Sequence, residues 1–213
     1  MADPSLRQSP LATLHLGGRE GHGAPDAAVR LAERRFVGKI NLRADPTDEA
    51  LMNAIESVLG HALPRRPNST GGPDGPDGPN GKDGWGAIWL GPDEWLLTMP
   101  GGRGNPLFGA LAAAADGRHA ALSDVSDART VLTLSGPRAR AVLEKGCGLD
   151  LHPRAFRTGQ CAQTRLARAA ILLHQTADAP AYDIHVAWSF AAYLWVWLED
   201  AAAEYGIAVG GVE

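Results

Sequence analysis

The chain has 213 residues, 45% of them hydrophobic, enough to bury a sizeable core, and much of its 26 glycines and 15 prolines is concentrated in a few stretches. Twenty basic against 24 acidic residues give a formal charge of −4, which argues against a nucleic-acid partner. No apolar run reaches the ~20 residues of a membrane span, residues 1–23 hold no secretory apolar region, and the two cysteines, Cys147 and Cys161, are too few for a thiolate zinc site, so a reducing cytoplasm is the expected compartment.

Residues 1–27 read as a mostly irregular arm in which Leu11, Leu14 and Leu16 dock a short piece. The rest, 28–213, reads as one α+β domain. Residues 29–33 and 39–43 alternate apolar and polar, as half-buried strands do. Asp45-Pro46-Thr47 opens a helix, Asp48 and Glu49 suit its first turn, Leu51, Ala54, Ile55, Val58 and Leu59 form its apolar face, and Gly60 stops it. Residues 64–86 read as an irregular surface insertion, of which Gly72 to Lys82 is expected to be dispensable for folding, with glycine at 72, 75, 78, 81 and 84; that is too few triplets for a collagen helix.

Residues 85–90 and 95–99 read as strands around the turn Gly91-Pro92-Asp93-Glu94. Gly101-Gly102-Arg103-Gly104 matches no phosphate-loop pattern and is read as a plain loop before the helix that starts at Asn105-Pro106. Residues 119–125 form the next strand. From Lys39 onward the order is β-α-β-β-α-β, the split βαβ or ferredoxin-like order.

The second half repeats it. Residues 130–134 are a strand. Ser135 caps a helix with Pro137 in its first turn and Ala139, Val142 and Leu143 on its core face. Strands follow at 161–166, 170–174 and 182–186. Ser189 caps a long helix with Phe190, Tyr193, Leu194, Trp197, Leu198 and Ala201 on one side, of which Leu194, Trp197 and Leu198 point inward, and 207–209 is a last strand. The fold expected is two intertwined ferredoxin-like halves.

No constellation carries chemistry by itself. His174 and His185 fall on neighbouring strands, where a metal pair is the less favoured reading, and neither cysteine sits in a nucleophile signature. No catalytic, cofactor-binding or metal residue is therefore assigned. The candidates for an interface or a structural brace are Asp124, Ser126, Asp127, Arg129 and Trp195. A local Asp–Arg ion pair pinning the 124–129 turn is expected, with carboxylate binding by Arg129 as the alternative. Trp195 is expected on an exposed helix flank, where either an interface covers it or it is one stray ring on a core helix.

Several blocks together resemble the gamma subunit of heterotetrameric sarcosine oxidase. They are Arg7-Gln8-Ser9-Pro10-Leu11-Ala12, Lys39-Ile40-Asn41-Leu42-Arg43, the hairpin from Trp89 through Gly91-Pro92-Asp93-Glu94 to Leu97, and Asp124-Val125-Ser126-Asp127-Ala128-Arg129-Thr130. Leu134-Ser135-Gly136-Pro137, Lys145-Gly146-Cys147, Asp150-Leu151-His152-Pro153-Arg154-Ala155-Phe156 and Gly159-Gln160-Cys161-Ala162-Gln163-Thr164 follow. That family is similar in turn to the folate-binding domain of glycine-cleavage T-protein, a duplicated ferredoxin-like fold, and Tyr182-Asp183-Ile184-His185-Val186 resembles its Y-E-I-Y-V strand. The Asn-Gly-Gly motif that leads to the T-protein catalytic aspartate is not found, so no catalytic residue is carried over.

The resemblance implies an accessory subunit of a complex that demethylates sarcosine oxidatively to glycine, with formaldehyde or 5,10-methylenetetrahydrofolate and hydrogen peroxide as co-products. It places FAD, FMN, NAD, zinc and tetrahydrofolate use on the alpha, beta and delta subunits and makes alpha the main contact. The alternative is a stand-alone folate-dependent aminomethyltransferase-like protein.

Overall fold

A computed structural model describes residues 7–16, 27–72, 86–101 and 104–209. In chain order the elements are β1 (Val29–Arg34), β2 (Gly38–Ala44), α1 (Glu49–Leu59), β3 (Thr70–Gly71), β4 (Gly86–Gly91), β5 (Glu94–Met99), α2 (Gly104–Ala114) and β6 (Ala120–Asp124). They continue with β7 (Arg129–Ser135), α3 (Ala139–Glu144), β8 (Cys161–Leu166), β9 (Ala169–Ala177), β10 (Ala181–Ala187), α4 (Ala191–Ala202) and β11 (Ile207–Val209).

Two sheets form. The first runs β3-β4-β5-β2-β6, with every neighbouring pair antiparallel. With β3 set aside, β2, β4, β5 and β6 stand in the order second, third, first, fourth, which is the ferredoxin-like arrangement expected from the sequence. The second sheet runs β11-β1-β7-β10-β9-β8. Here β1, from the chain's start, takes the place beside β7, with Leu31 opposite Leu134. The last strand is displaced outward and pairs parallel to β1, Val29 opposite Ile207. The halves are thus interlocked by a strand that leaves its own sheet.

Strand alternation sorts the residues into layers. From β2, Ile40, Leu42 and Ala44 join Leu51, Ile55 and Leu111 beneath α1 and α2. From the second sheet, Leu31, Leu132, Leu134 and Ile184 join Val142, Leu194 and Leu198 beneath α3 and α4. Leu11 and Leu16 of the arm, both buried, complete that core. The inner faces of the two sheets meet at Ile88, Leu96, Cys161 and Leu172. Burying these apolar faces at about 25 cal/mol per Å² holds the four layers together.

Several local expectations need correction. Helix α1 is capped by Asp48, whose Oδ1 accepts from Leu51 N at 3.0 Å, while Asp45 closes the preceding turn by accepting from Thr47 N at 2.8 Å. Neither Ser135 nor Ser189 caps a helix. Ser135 is the last residue of β7, committed to the ladder opposite Arg30 and Ala181, and α3 begins after Arg138 with no side-chain cap. A 3-10 turn over Trp188–Phe190 precedes α4, again without a side-chain cap.

The stretch 64–86 is not irregular throughout. Thr70–Gly71 pairs with β4, and Thr70 N donates to Gly159 O at 2.9 Å across to the second sheet. Its glycine triplets lie largely within 73–85, outside the described residues, as do Gly102 and Arg103 of the glycine-rich loop. Cys147 and Cys161 are both buried free thiols.

Candidate functional site

The 124–129 segment crosses from β6 of the first sheet to β7 of the second. Asp124 Oδ1 accepts from Ser126 N at 2.9 Å and from Ser126 Oγ at 2.6 Å, which closes the turn. Ser126 Oγ in turn accepts from Lys39 N at 2.9 Å. The Lys39 side chain, 1% exposed, is caged beneath the turn. Its Nζ donates to the carbonyls of Val37 (2.8 Å), Arg129 (3.0 Å) and Ser126 (3.3 Å). Burial lowers its pKa to about 8, and the guanidinium of Arg7 adds to the shift. One buried ammonium therefore ties β2 to the crossover into the other sheet.

The local Asp–Arg ion pair expected in this turn does not form. Asp127 pairs with Arg7 of the arm at 2.5 Å, and the Arg7 guanidinium lies 5.0 Å above the Phe36 ring. Arg129 lends its backbone carbonyl to Lys39, while its guanidinium joins no ion pair among the described residues. A second latch lies beside the first. Buried Glu33 accepts from Ser9 Oγ at 2.5 Å and Thr130 Oγ1 at 2.8 Å, and Leu11 N donates to Ser9 Oγ at 2.9 Å. The arm's role as a latch had one sequence signal, its buried leucines. Partners more than twenty residues away gave none.

The polar layer continues between the sheets. His174, opposite Asp183 on the neighbouring strand, has Nε2 3.4 Å from Thr70 Oγ1. Asp183 pairs with Arg34 at 2.6 Å. His185 is buried with its Nδ1 unpartnered among the described residues. Burial, followed by the Lys39 ammonium, holds its pKa well below the ordinary imidazole value; burial likewise lowers that of His174. Cys161 Sγ lies 3.5 Å from the carbonyls of Ser69 and Trp89, and burial pushes the thiol up to about 12, so it stays protonated and unreactive at neutral pH.

This arrangement braces two sheets; it does not assemble a nucleophile with its base. Among the described residues, Ile88, Leu96, Cys161 and Leu172 pack together where the sheets meet. The crevice beside Arg129 holds about 10 Å³, room for roughly one water. Open grooves of 370 Å³, beside Arg34 and Asp183, and 510 Å³, beside Arg43 and His119, lie on the surface. No group of three or more metal-ligating side chains occurs among the described residues, and none of their helices is long and apolar enough to cross a membrane.

Trp195 is not where the sequence reading puts it. It is 1% exposed, packed in the core with Leu194, Leu198, Ala191, Ala201 and Ala202. Trp197 is half-buried, and Trp188, Phe190, Tyr193 and Val196 lie exposed instead. The cause is the width of the apolar stripe on α4. When more than half a helix is apolar, periodicity does not say which edge faces in. The small residues Ala191, Ala201 and Ala202, which permit close approach to the sheet, were the available signal.

Comparison with known proteins agrees with this geometry. The model of the family described as "Sarcosine oxidase, gamma subunit family" matches residues 43–204. The sarcosine oxidase subunit gamma of Arthrobacter sp is 37% identical over 94% of this chain and 92% of that protein. That of Corynebacterium sp. (strain P-1) is 35% identical over the same shares. A chain of the heterotetrameric sarcosine oxidase from Corynebacterium sp. U-96, solved with pyrrole 2-carboxylate, superposes with a TM-score of 0.81 at 32% identity, covering 98% of this chain and 100% of that one. The aminomethyltransferase T of the Bartonella henselae glycine cleavage system superposes with a TM-score of 0.67 at 16% identity, covering 97% of this chain and 60% of that one, which shows a shared fold. This chain belongs to the sarcosine oxidase gamma subunit family.

Proposed function

We propose that the chain serves as the accessory gamma subunit of a heterotetrameric sarcosine oxidase. The observation that carries the reading is end-to-end likeness, 98% and 100% of the two chains, to a chain of the Corynebacterium heterotetramer. The crossover at Lys39, Asp124, Ser126, Asp127 and Arg129 supports a structural role, because the Lys39 ammonium, the Asp124 and Asp127 carboxylates, the Ser126 hydroxyl and the Arg129 carbonyl all hold the fold together. In this reading the complex oxidises sarcosine to glycine, with formaldehyde or 5,10-methylenetetrahydrofolate and hydrogen peroxide. FAD, FMN, NAD, zinc and tetrahydrofolate belong to the other subunits, alpha is the main contact, and the complex is cytoplasmic. The chain acts as one domain, 28–213, interrupted at 64–86 and preceded by the arm.

The test is coexpression of the tagged chain with the other subunits. A flavin-coloured complex should co-purify, with no flavin on the chain alone. An oxidase that assembles and turns over fully without this chain would overturn the proposal. A stand-alone folate-dependent enzyme is not favoured, since 16% identity to an aminomethyltransferase carries only the fold. Calorimetry showing that the isolated chain binds tetrahydrofolate would restore it.

A further inference from the structure

All four large hydrophobic residues exposed among the described residues fall within 188–196: Trp188 (41%), Phe190 (43%), Tyr193 (39%) and Val196 (53%). The first two belong to the 3-10 turn and the others to α4, whose opposite face is already buried. Phe190 and Tyr193 meet edge to face, ring centroids 6.3 Å apart at 84°. An aromatic side chain buries ~150–250 Å², so three rings about 40% exposed leave on the order of 200–300 Å² of aromatic surface in water. That is the size of a functional patch on a monomer, and of the apolar centre of an interface burying ~800 Å² per partner.

The rim of this patch carries charge. Trp188 N donates to Ala128 O at 3.0 Å, which seats the patch beside the crossover. Trp188 and Arg129 line the same crevice. Arg7 there is held by Asp127 and Arg35 by Glu33, whereas Arg129 has no carboxylate among the described residues.

The geometry points to this patch as the docking surface for a non-identical subunit of the complex, one that offers an apolar socket with a carboxylate opposite Arg129. The inference rests on the accessory-subunit reading above. A second copy of this chain fits less well. A two-fold contact sets the patch against itself, and Asp127, which lines the same crevice as Arg129, is already taken by Arg7. Interfaces of this kind concentrate their affinity in central aromatic and arginine residues.

The test coexpresses tagged full-length chain with the other oxidase subunits and measures association of the purified components. Phe190→Asp and Tyr193→Asp should each weaken assembly at least about 30-fold. Arg129→Glu should weaken it about 10-fold and reverse its salt dependence. The milder Phe190→Ser, with an unchanged circular dichroism spectrum and melting midpoint, guards against misfolding and should still weaken association. Ala112→Asp, on an exposed position of α2, is the control and should bind as wild type. Wild-type affinity in Phe190→Asp and Tyr193→Asp would overturn the surface while leaving the subunit reading intact. A wild-type chain that joins no subunit would overturn both. A homodimer abolished by the same variants would replace the proposed partner with a second copy.

Discussion

Replacing Lys39 with methionine tests the brace between the sheets most directly. Lys39→Met keeps the stem and removes the ammonium, leaving the carbonyls of Val37, Ser126 and Arg129 facing a thioether. Three hydrogen bonds from a charged donor contribute about 1.5–3 kcal/mol each, on the order of 5–8 together. Against this stands the cost of burying the charge. A pKa lowered from 10.5 to about 8 means that the unfolded chain holds this proton more tightly, a penalty of about 3 kcal/mol below pH 8. The hydrogen bonds win by about 2–5 kcal/mol, so the melting midpoint at pH 7 should fall by roughly 4–20 °C.

A second signature separates this account from simple loss of packing. The wild-type penalty shrinks as pH rises through the folded pKa, so Lys39 should add about 1 kcal/mol of stability between pH 7 and pH 9. Lys39→Met should lose that gain. Cys161, raised to about 12 by burial, lowers stability only as pH passes its unfolded value of 9.0, and does so in both proteins. Melting curves by circular dichroism at pH 7, 8 and 9 provide the measurement. A midpoint within about 1 °C of wild type, or pH dependences that run parallel, would refute the reasoning.

Other outcomes follow from the same geometry. Trp195→Ala should cost about 3–5 kcal/mol in urea unfolding because the ring is buried in the core, whereas Phe190→Ala should change the isolated chain by less than about 1 kcal/mol. Below pH 6.5 the unfolded chain binds protons that buried His174 and His185 refuse, so stability should fall by up to about 1.4 kcal/mol per pH unit per histidine. His185→Leu should flatten that slope, and an unchanged slope would exclude His185 as a cause. Ser9→Ala breaks the link between Glu33 and Leu11 N. It should cost about 1–2 kcal/mol and speed amide exchange at Ala12, Leu14 and His15 of the arm, with unaltered exchange counting against the latch.

Much of this molecule was legible as a string of residues. The element order from Lys39 to Val209 is written in local periodicity and in glycine and proline stops, and it implies two ferredoxin-like halves. The motif blocks placed the chain in its family before any contact was known. What the string did not carry were choices made by distant partners. Ser135 and Ser189 look like caps, yet strand pairing and a 3-10 turn claimed their positions. Asp127 has Arg129 two residues away and pairs instead with Arg7, 120 residues distant in sequence.

The sequence by itself determined which residues must leave water, because alternation and helical spacing follow from backbone geometry that each segment carries on its own. Only the tertiary structure decided what those residues meet. It drew β1 beside β7 and displaced β11, turned Trp195 inward and left Trp188, Phe190, Tyr193 and Val196 outside, and closed the crossover over Lys39. The physical reason is that apolar burial is non-directional. It rewards any dry neighbour equally, so the particular neighbour is selected by sheet pairing and by the buried polar groups that must find partners.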